Sequence, residues 1–160
     1  MDWLLDQRRT GPQYLRMPEI ANLVVDAIHR AEQQMQHYEL HAYVVMSNHV
    51  HMLVTPHVEV SKLTHSLKRF TAREANRMLG LTGQPFWQDE SYDRQVRDAA
   101  EFARIKRYIE YNPVGAGVVV SPQDFPWSSG GRVTNPPQDT ILPHPEPRLT
   151  QAHARLTGSS

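Results

Sequence analysis

The chain has 160 residues, with 17 lysines and arginines balanced by 17 aspartates and glutamates, nine histidines and no cysteine. That length suggests one domain with a modest core, while the neutral total removes bulk basicity as an argument for a nucleic-acid partner. A chain without cysteine has no disulfide framework, no thiolate metal site and no cysteine nucleophile. It carries no apolar run of the roughly 18–20 residues that span a membrane and no signal-peptide pattern after Met1, so a soluble, cytoplasmic protein is expected.

Before Pro18 nothing reads as a full strand: Trp3-Leu4-Leu5 is short, and Asp-Gln-Arg-Arg-Thr-Gly-Pro follows at once. Pro18 suits a first helical position, where its missing N–H is not needed. Ile20, Leu23, Val24, Ile28, Ala31 and Met35 then recur at helical spacing, which predicts an amphipathic helix over roughly 18–36. Leu40 to Met46 is short, branched and aromatic, hence a strand, and His49 to Thr55 reads as a second strand after a tight turn at Ser47-Asn48. The two should form a hairpin.

A second helix is predicted from about Ser61 to Leu79, burying Leu63, Leu67, Phe70 and Met78, with Gly80 and Gly83 ending it. Arg69, Arg73 and Arg77 sit four apart on one flank, and segment 62–77 sets five cations against Glu74 alone. Tyr92 to Arg97 is a candidate third strand. Asp98 and Glu101 then resemble a capping box for a third helix, 99–112, which Pro113 should terminate. That helix should bury Phe102, Ile105 and Ile109. The neutral total thus hides a basic middle, offset by six acids against four arginines in the first forty residues. Seven of the twelve prolines fall in the last forty. Few large apolar residues lie beyond Gly130, so the sequence divides into a domain at 1–129 and an irregular tail at 130–160.

His49-Val50-His51 is the first constellation with chemical potential. Residues i and i+2 of a strand project from one face, so both imidazoles can address one metal ion or one phosphate. From spacing alone, two histidines on a half-solvated strand are the plainer reading, and two are too few for a structural zinc site. Tyr108 is the second candidate. It shares a helix flank with Asn112, although a lone helical tyrosine ordinarily has its ring against the core and its hydroxyl in water. Taken together, two imidazoles, a phenol, an amide oxygen and nearby basic helices are parts that phosphoryl transfer uses. Phenolate suits a reversible covalent step. Imidazole ligands alone lean toward zinc or another transition metal, whereas an added amide oxygen and a phosphate favour Mg²⁺ or Mn²⁺.

The stretch Tyr43-Val44-Val45-Met46-Ser47-Asn48-His49-Val50-His51-Met52-Leu53-Val54 resembles the histidine–hydrophobic–histidine (HUH) signature of single-tyrosine transposases. These comprise small insertion-sequence transposases and relatives associated with repetitive extragenic palindromes (REP). Phe86-Trp87-Gln88, the block from Arg107 to Val119 and Pro126-Trp127-Ser128-Ser129 resemble further family blocks in family order, over roughly residues 10–129. The REP-associated branch is the more similar in look.

The resemblance implies an α+β, ferredoxin-like HUH endonuclease fold: an antiparallel sheet with helices on one or both faces. Its first strand would be missing here and the domain N-terminally incomplete. It further implies His49 and His51 as metal ligands, Tyr108 as nucleophile, and Asn112 as an additional polar ligand. The cofactor would be a divalent ion, Mg²⁺ or Mn²⁺. The reaction would be cleavage of single-stranded or hairpin DNA through a 5′-phosphotyrosine, followed by strand transfer. Arg69, Arg73, Arg77, Arg94 and Arg97 would contact the DNA backbone, placing the protein at the nucleoid. A homodimer is one arrangement in the family and a monomer another. Family members usually have arginine where this chain has Gly115. The alternative is a transposase-derived protein that binds structured DNA without cutting it. A histidine-triad nucleotide hydrolase is set aside, because position 53 is Leu where a third histidine would stand.

Overall fold

The structure, a computed structural model, describes residues 1–9 and 13–131. Its first element corrects the sequence reading. Trp3–Arg9 form a strand, β1, that pairs antiparallel with the histidine strand, Trp3 opposite Val54 through Arg8 opposite His49. The expected missing strand is therefore present. Its polar half, Asp6-Gln7-Arg8-Arg9, hides it from pattern analysis, because strand identity here comes from pairing and not from intrinsic propensity.

Helix α1 spans Pro18–Gln33, with the proline in its first turn. It stops short of the predicted residue 36: Gln36 takes φ 55°, and the His37 N–H turns back to the Ala31 carbonyl at 2.9 Å. Strands β2 (Tyr38–Val45) and β3 (His49–Pro56) form the expected hairpin, with a register irregularity between Leu40 and Ala42. Helix α2 spans Val60–Leu79 and ends at Gly80, whose φ of 72° is a left-handed cap that glycine adopts without penalty. Leu63 is buried as expected, but Met78 is exposed, and Phe70 is half-buried between the Arg30 and Arg73 guanidinium groups. Of the predicted strand at 92–97 only Arg94–Gln95, β5, is strand; a further strand that the sequence did not predict, β4 (Trp87–Ser91), precedes it, and both pair with β1.

Helix α3 spans Ala99–Gly115 and runs through Pro113 instead of stopping there. The proline removes one N–H from the ladder, but Ala116 N–H still reaches the Asn112 carbonyl at 3.0 Å, and the turn closes at Gly117 with φ 77°. Its N-terminus carries the expected cap. Asp98 accepts the Glu101 N–H at 2.9 Å, while Glu101 reaches back to the N–H of Arg97 at 2.8 Å.

The sheet order is β2-β3-β1-β4, with β5 also on β1, so the histidine strand is paired along both edges. Residues opposite one another in an antiparallel ladder share a face. Met52, Leu5 and Tyr43 line one face, where α1 packs; His29 of α1 meets the Tyr43 ring edge-on at 5.3 Å. The Tyr38 hydroxyl donates to the Ile28 carbonyl at 2.6 Å, and burial pushes its pKa far up. Helix α2 lies beside α1. His51, Asp6 and Val44 belong to the other face, which α3 covers.

The outer edge of β2 is also occupied. Val45 N–H donates to the Trp127 carbonyl at 2.8 Å, Tyr43 N–H to Ser129 Oγ at 3.0 Å, and Val44 bridges Ser128. Trp127 Nε1 anchors this cover to Asn22 Oδ1 at 2.8 Å. Across the expected boundary between domain and tail, Ser129–Gly131 form a short 3-10 turn, whereas 132–160 lie outside the described residues. Among the described residues no helix is long and apolar enough to cross a membrane.

The α3 cap predicts a pH signature. The Arg97 N–H and the Arg94 side chain hold the Glu101 carboxyl at about 2, below its ordinary 4.5. A depressed folded-state pKa contributes stability above the unfolded value, and that contribution is lost as pH falls from about 4.5 toward 2. Urea unfolding of Glu101→Gln should show a lowered midpoint at pH 7 and a gap to the wild type that closes over that window. A gap that stays constant to pH 2 would contradict this account of the cap.

Candidate active site

The central strand and the covering helix build the site together. Alternation along β3 sends Val50, Met52 and Val54 into one side of the core and leaves His49 and His51 side by side on the α3 face, ring centroids 4.6 Å apart. They are not half-solvated: exposures are 3% and 2%. Helix α3 lies across them, and the Tyr108 ring stands edge-on to His51 at 5.5 Å while remaining 54% exposed. The structure thus brings together three of the four residues expected at the site. Asn112, half-buried one turn further along α3, shares the Tyr108 flank.

Both His51 nitrogens are buried without a hydrogen-bond partner, and burial lowers its pKa to about 4, so the ring is neutral at physiological pH. A neutral imidazole with an uncommitted nitrogen is the form that ligates a metal. His49 Nδ1 lies 3.4 Å from Asn48 Oδ1. Among the described residues no cluster of three His, Cys, Asp or Glu is arranged to hold a metal. The donor set therefore fits a cation held by two imidazoles, with its other positions open to an amide or a substrate oxygen, and does not fit a closed structural site.

Sequence reasoning missed Asp6. It is the β1 residue opposite His51, is fully buried, and places Oδ1 3.7 Å from His51 Nδ1. Its only available signal was an isolated acid in a short apolar run, and that signal carries meaning only once β1 is known to be a strand.

The five arginines do not form one patch. Arg69, Arg73 and Arg77 are exposed on α2, which packs beside α1 on the sheet face away from Tyr108. Arg73 and Arg77 share Glu74, at 3.4 and 2.7 Å. Lys68 donates to the Gln88 carbonyl at 2.9 Å and ties α2 to β4. Arg94 in β5 and Arg97 just before α3 grip Glu101 of its first turn at 2.8 and 3.2 Å. Behind Tyr108, Lys106 and Ser129 both meet Glu110, at 3.0 and 3.3 Å, and dock α3 on the segment that covers β2.

The α+β fold thus sets a buried histidine pair on a central strand against a helix-borne, solvent-exposed tyrosine. The family model for IS200-like transposases matches residues 13–112, and the chain belongs to that family. Among solved structures, a REP-associated tyrosine transposase bound to a REP hairpin is similar at TM-score 0.66 and 23% identity, over 84% of this chain and 79% of that one. A putative transposase from Deinococcus radiodurans R1 is similar at TM-score 0.51 and 23% identity, over 69% of this chain and 88% of that one. A search of curated proteins finds no match. These likenesses confirm the expected HUH fold.

The ion pairs separate the arginines by role. Arg69→Ala should move the unfolding midpoint by less than the equivalent of about 0.5 kcal/mol, as an exposed substitution does. Arg94→Ala/Arg97→Ala should lower it clearly, because Glu101 is left buried without its cations. Thermal unfolding of the two variants checks the ranking, and the reverse order would refute it.

Proposed function

We propose that the chain nicks and rejoins hairpin-bearing single-stranded DNA, with Tyr108 as the nucleophile. The observation that carries this reading is the exposed Tyr108 phenol held over the buried His51 ring. In the reaction the Tyr108 hydroxyl gives up its proton as its oxygen attacks a backbone phosphate. A new P–O bond forms as 5′-phosphotyrosine, the bond to the departing 3′-oxygen breaks, and that oxygen takes up a proton from water to leave as a 3′-hydroxyl, balancing the one Tyr108 released. The link conserves the phosphodiester energy, so a 3′-hydroxyl of another end can reverse the step without ATP.

His49 and His51 would hold a divalent cation, Mg²⁺ or Mn²⁺, with Asn112 as a further oxygen donor. When bound, that ion polarises the scissile phosphate and neutralises charge developing on it. The protein's own contribution is placement. β3 fixes both imidazoles in a dry layer, while α3 offers the phenol at the edge of that layer, where a strand can reach it. Hairpin binding is supported by the fold shared with the transposase bound to a REP hairpin. The exposed arginines of α2 and the α3 N-terminus are the proposed backbone contacts, in two groups instead of one stripe.

The test is a denaturing gel with labelled single-stranded hairpins and Mn²⁺ or chelator. A metal-dependent, protease-sensitive adduct is expected, and Tyr108→Phe should abolish it while leaving hairpin affinity within about twofold. An adduct that survives in Tyr108→Phe would transfer the assignment to Tyr111. Binding without any adduct would favour the DNA-binding alternative.

Gly115 supplies a second test. A side chain built there meets nothing within 4 Å, so Gly115→Arg should fold with equal or slightly greater helix stability, by up to about 1 kcal/mol. If α3 borders the DNA, the added cation should steepen the salt dependence of hairpin binding by about one unit in the log–log slope. An unchanged slope would place the end of α3 away from the strand.

A further inference from the structure

We propose that Asp6 is a positioning residue for the metal centre: its buried carboxyl accepts the Nδ1–H of His51 and so leaves Nε2 as the bare nitrogen that faces a divalent cation. This rests on the reading of His49 and His51 as metal ligands.

Asp6 occupies a position that packing alone would give to an apolar residue. It is 0% exposed in the middle of a central strand, with Leu5 buried in the core before it. Burying a carboxyl is costly unless a partner compensates it, and the ladder sets that partner. Asp6 and His51 are directly opposed in the β1–β3 register and share a face, with Oδ1 and Nδ1 3.7 Å apart. A side-chain adjustment of under about 1 Å brings the two atoms to hydrogen-bond distance.

The backbone of Asp6 is fixed. Its carbonyl accepts the Tyr92 N–H at 3.2 Å, and its N–H donates to the carboxyl of Asp93. The acid is thus presented to His51 by two neighbouring strands and the β4–β5 turn.

His51 needs such a partner. Neither of its buried nitrogens has a hydrogen bond as the side chains stand, and an imidazole that ligates a metal carries its proton on the other nitrogen. With nothing to choose between the tautomers, either nitrogen could carry the proton. An acceptor beside Nδ1 removes that freedom and raises the basicity of Nε2. This is how a carboxylate behind a ligating histidine acts in metal sites generally.

The experiment uses the full chain with ¹⁵N-labelled histidine. In metal-free wild type at pH 7, long-range ¹H–¹⁵N spectra should report His51 with Nδ1 protonated and Nε2 bare. A wild-type ring protonated at Nε2 would overturn the proposal without any variant. Asp6→Ala should shift the tautomer population toward Nε2–H and weaken Mn²⁺ binding by about 10–100-fold. Its hairpin affinity in chelator should be unchanged. Asp6→Asn is isosteric and keeps an acceptor oxygen, so it should retain the wild-type tautomer and most of the Mn²⁺ affinity. Weakened Mn²⁺ binding with an unchanged tautomer in Asp6→Ala would also overturn positioning, since the acid would then act by charge alone. Wild type that binds no Mn²⁺ while showing the expected tautomer would reject the histidines as ligands and leave the Asp6–His51 contact standing.

Discussion

Pairing of the histidine strand along both its edges is the constraint on which the site depends. β3 hydrogen-bonds to β2 on one side and β1 on the other, so its backbone groups are used in the ladder. Its side chains are then fixed by register: a slip of one residue would exchange His49 and His51 with Val50 and Met52 across the sheet. Val50, Met52 and Val54 are buried against the other layer of the core, which makes that slip costly. The apolar residues of β3 thus hold the polar ones in place. β1 has a second role, because the same pairing that completes the sheet brings Asp6 opposite His51.

The tyrosine is held differently. Tyr108 rides on a helix that is secured at both ends by charged groups: Glu101 with Arg94 and Arg97 near the start, and Glu110 with Lys106 and Ser129 near the other end. Between those ends, Ile105 and Ile109 pack into the core while Tyr108 and Tyr111 face outward. The proposed metal ligands lie in a dry layer and the proposed nucleophile at its wet rim, an arrangement that would suit a reaction in which a large polymer approaches, reacts and leaves. A buried phenol would be shielded from the strand, and solvated histidines would exchange freely with water.

Much of this was legible in the sequence because periodicity is strong where cores are made. The spacing of Ile20, Val24 and Ile28 predicted α1, and the alternation from His49 to Val54 predicted which residues share a face. Asp98 and Glu101 predicted the cap of α3. Reading failed where tertiary contact decides. β1 has only three consecutive apolar residues, and its polar half becomes a strand through β3 on one side and β4 and β5 on the other. Pro113 is a helix breaker locally, but α3 continues past it because the flanking carbonyls find N–H groups in the next turn. The burial of His49 and His51 was also hidden, since two imidazoles in a strand look equally at home in water. Only the position of α3 shows that they are covered.

The sequence blocks that pointed to the family also prove to have different physical duties. The histidine block and Tyr108 meet across β3 and α3 and form the candidate site. Pro126-Trp127-Ser128-Ser129, equally suggestive as a motif, does something else. It pairs with the outer edge of β2, and its indole reaches across to Asn22 of α1. An exposed edge strand presents a row of unpaired N–H and C=O groups that invites pairing with another chain, and this segment covers that edge. Phe86 and Trp87 are likewise structural: Phe86 is buried, and Trp87 Nε1 donates to Thr71 Oγ1 at 2.9 Å, joining β4 to α2. Motif density along this chain therefore marks two things together, the residues of the candidate site and the closures that keep the sheet carrying them from opening.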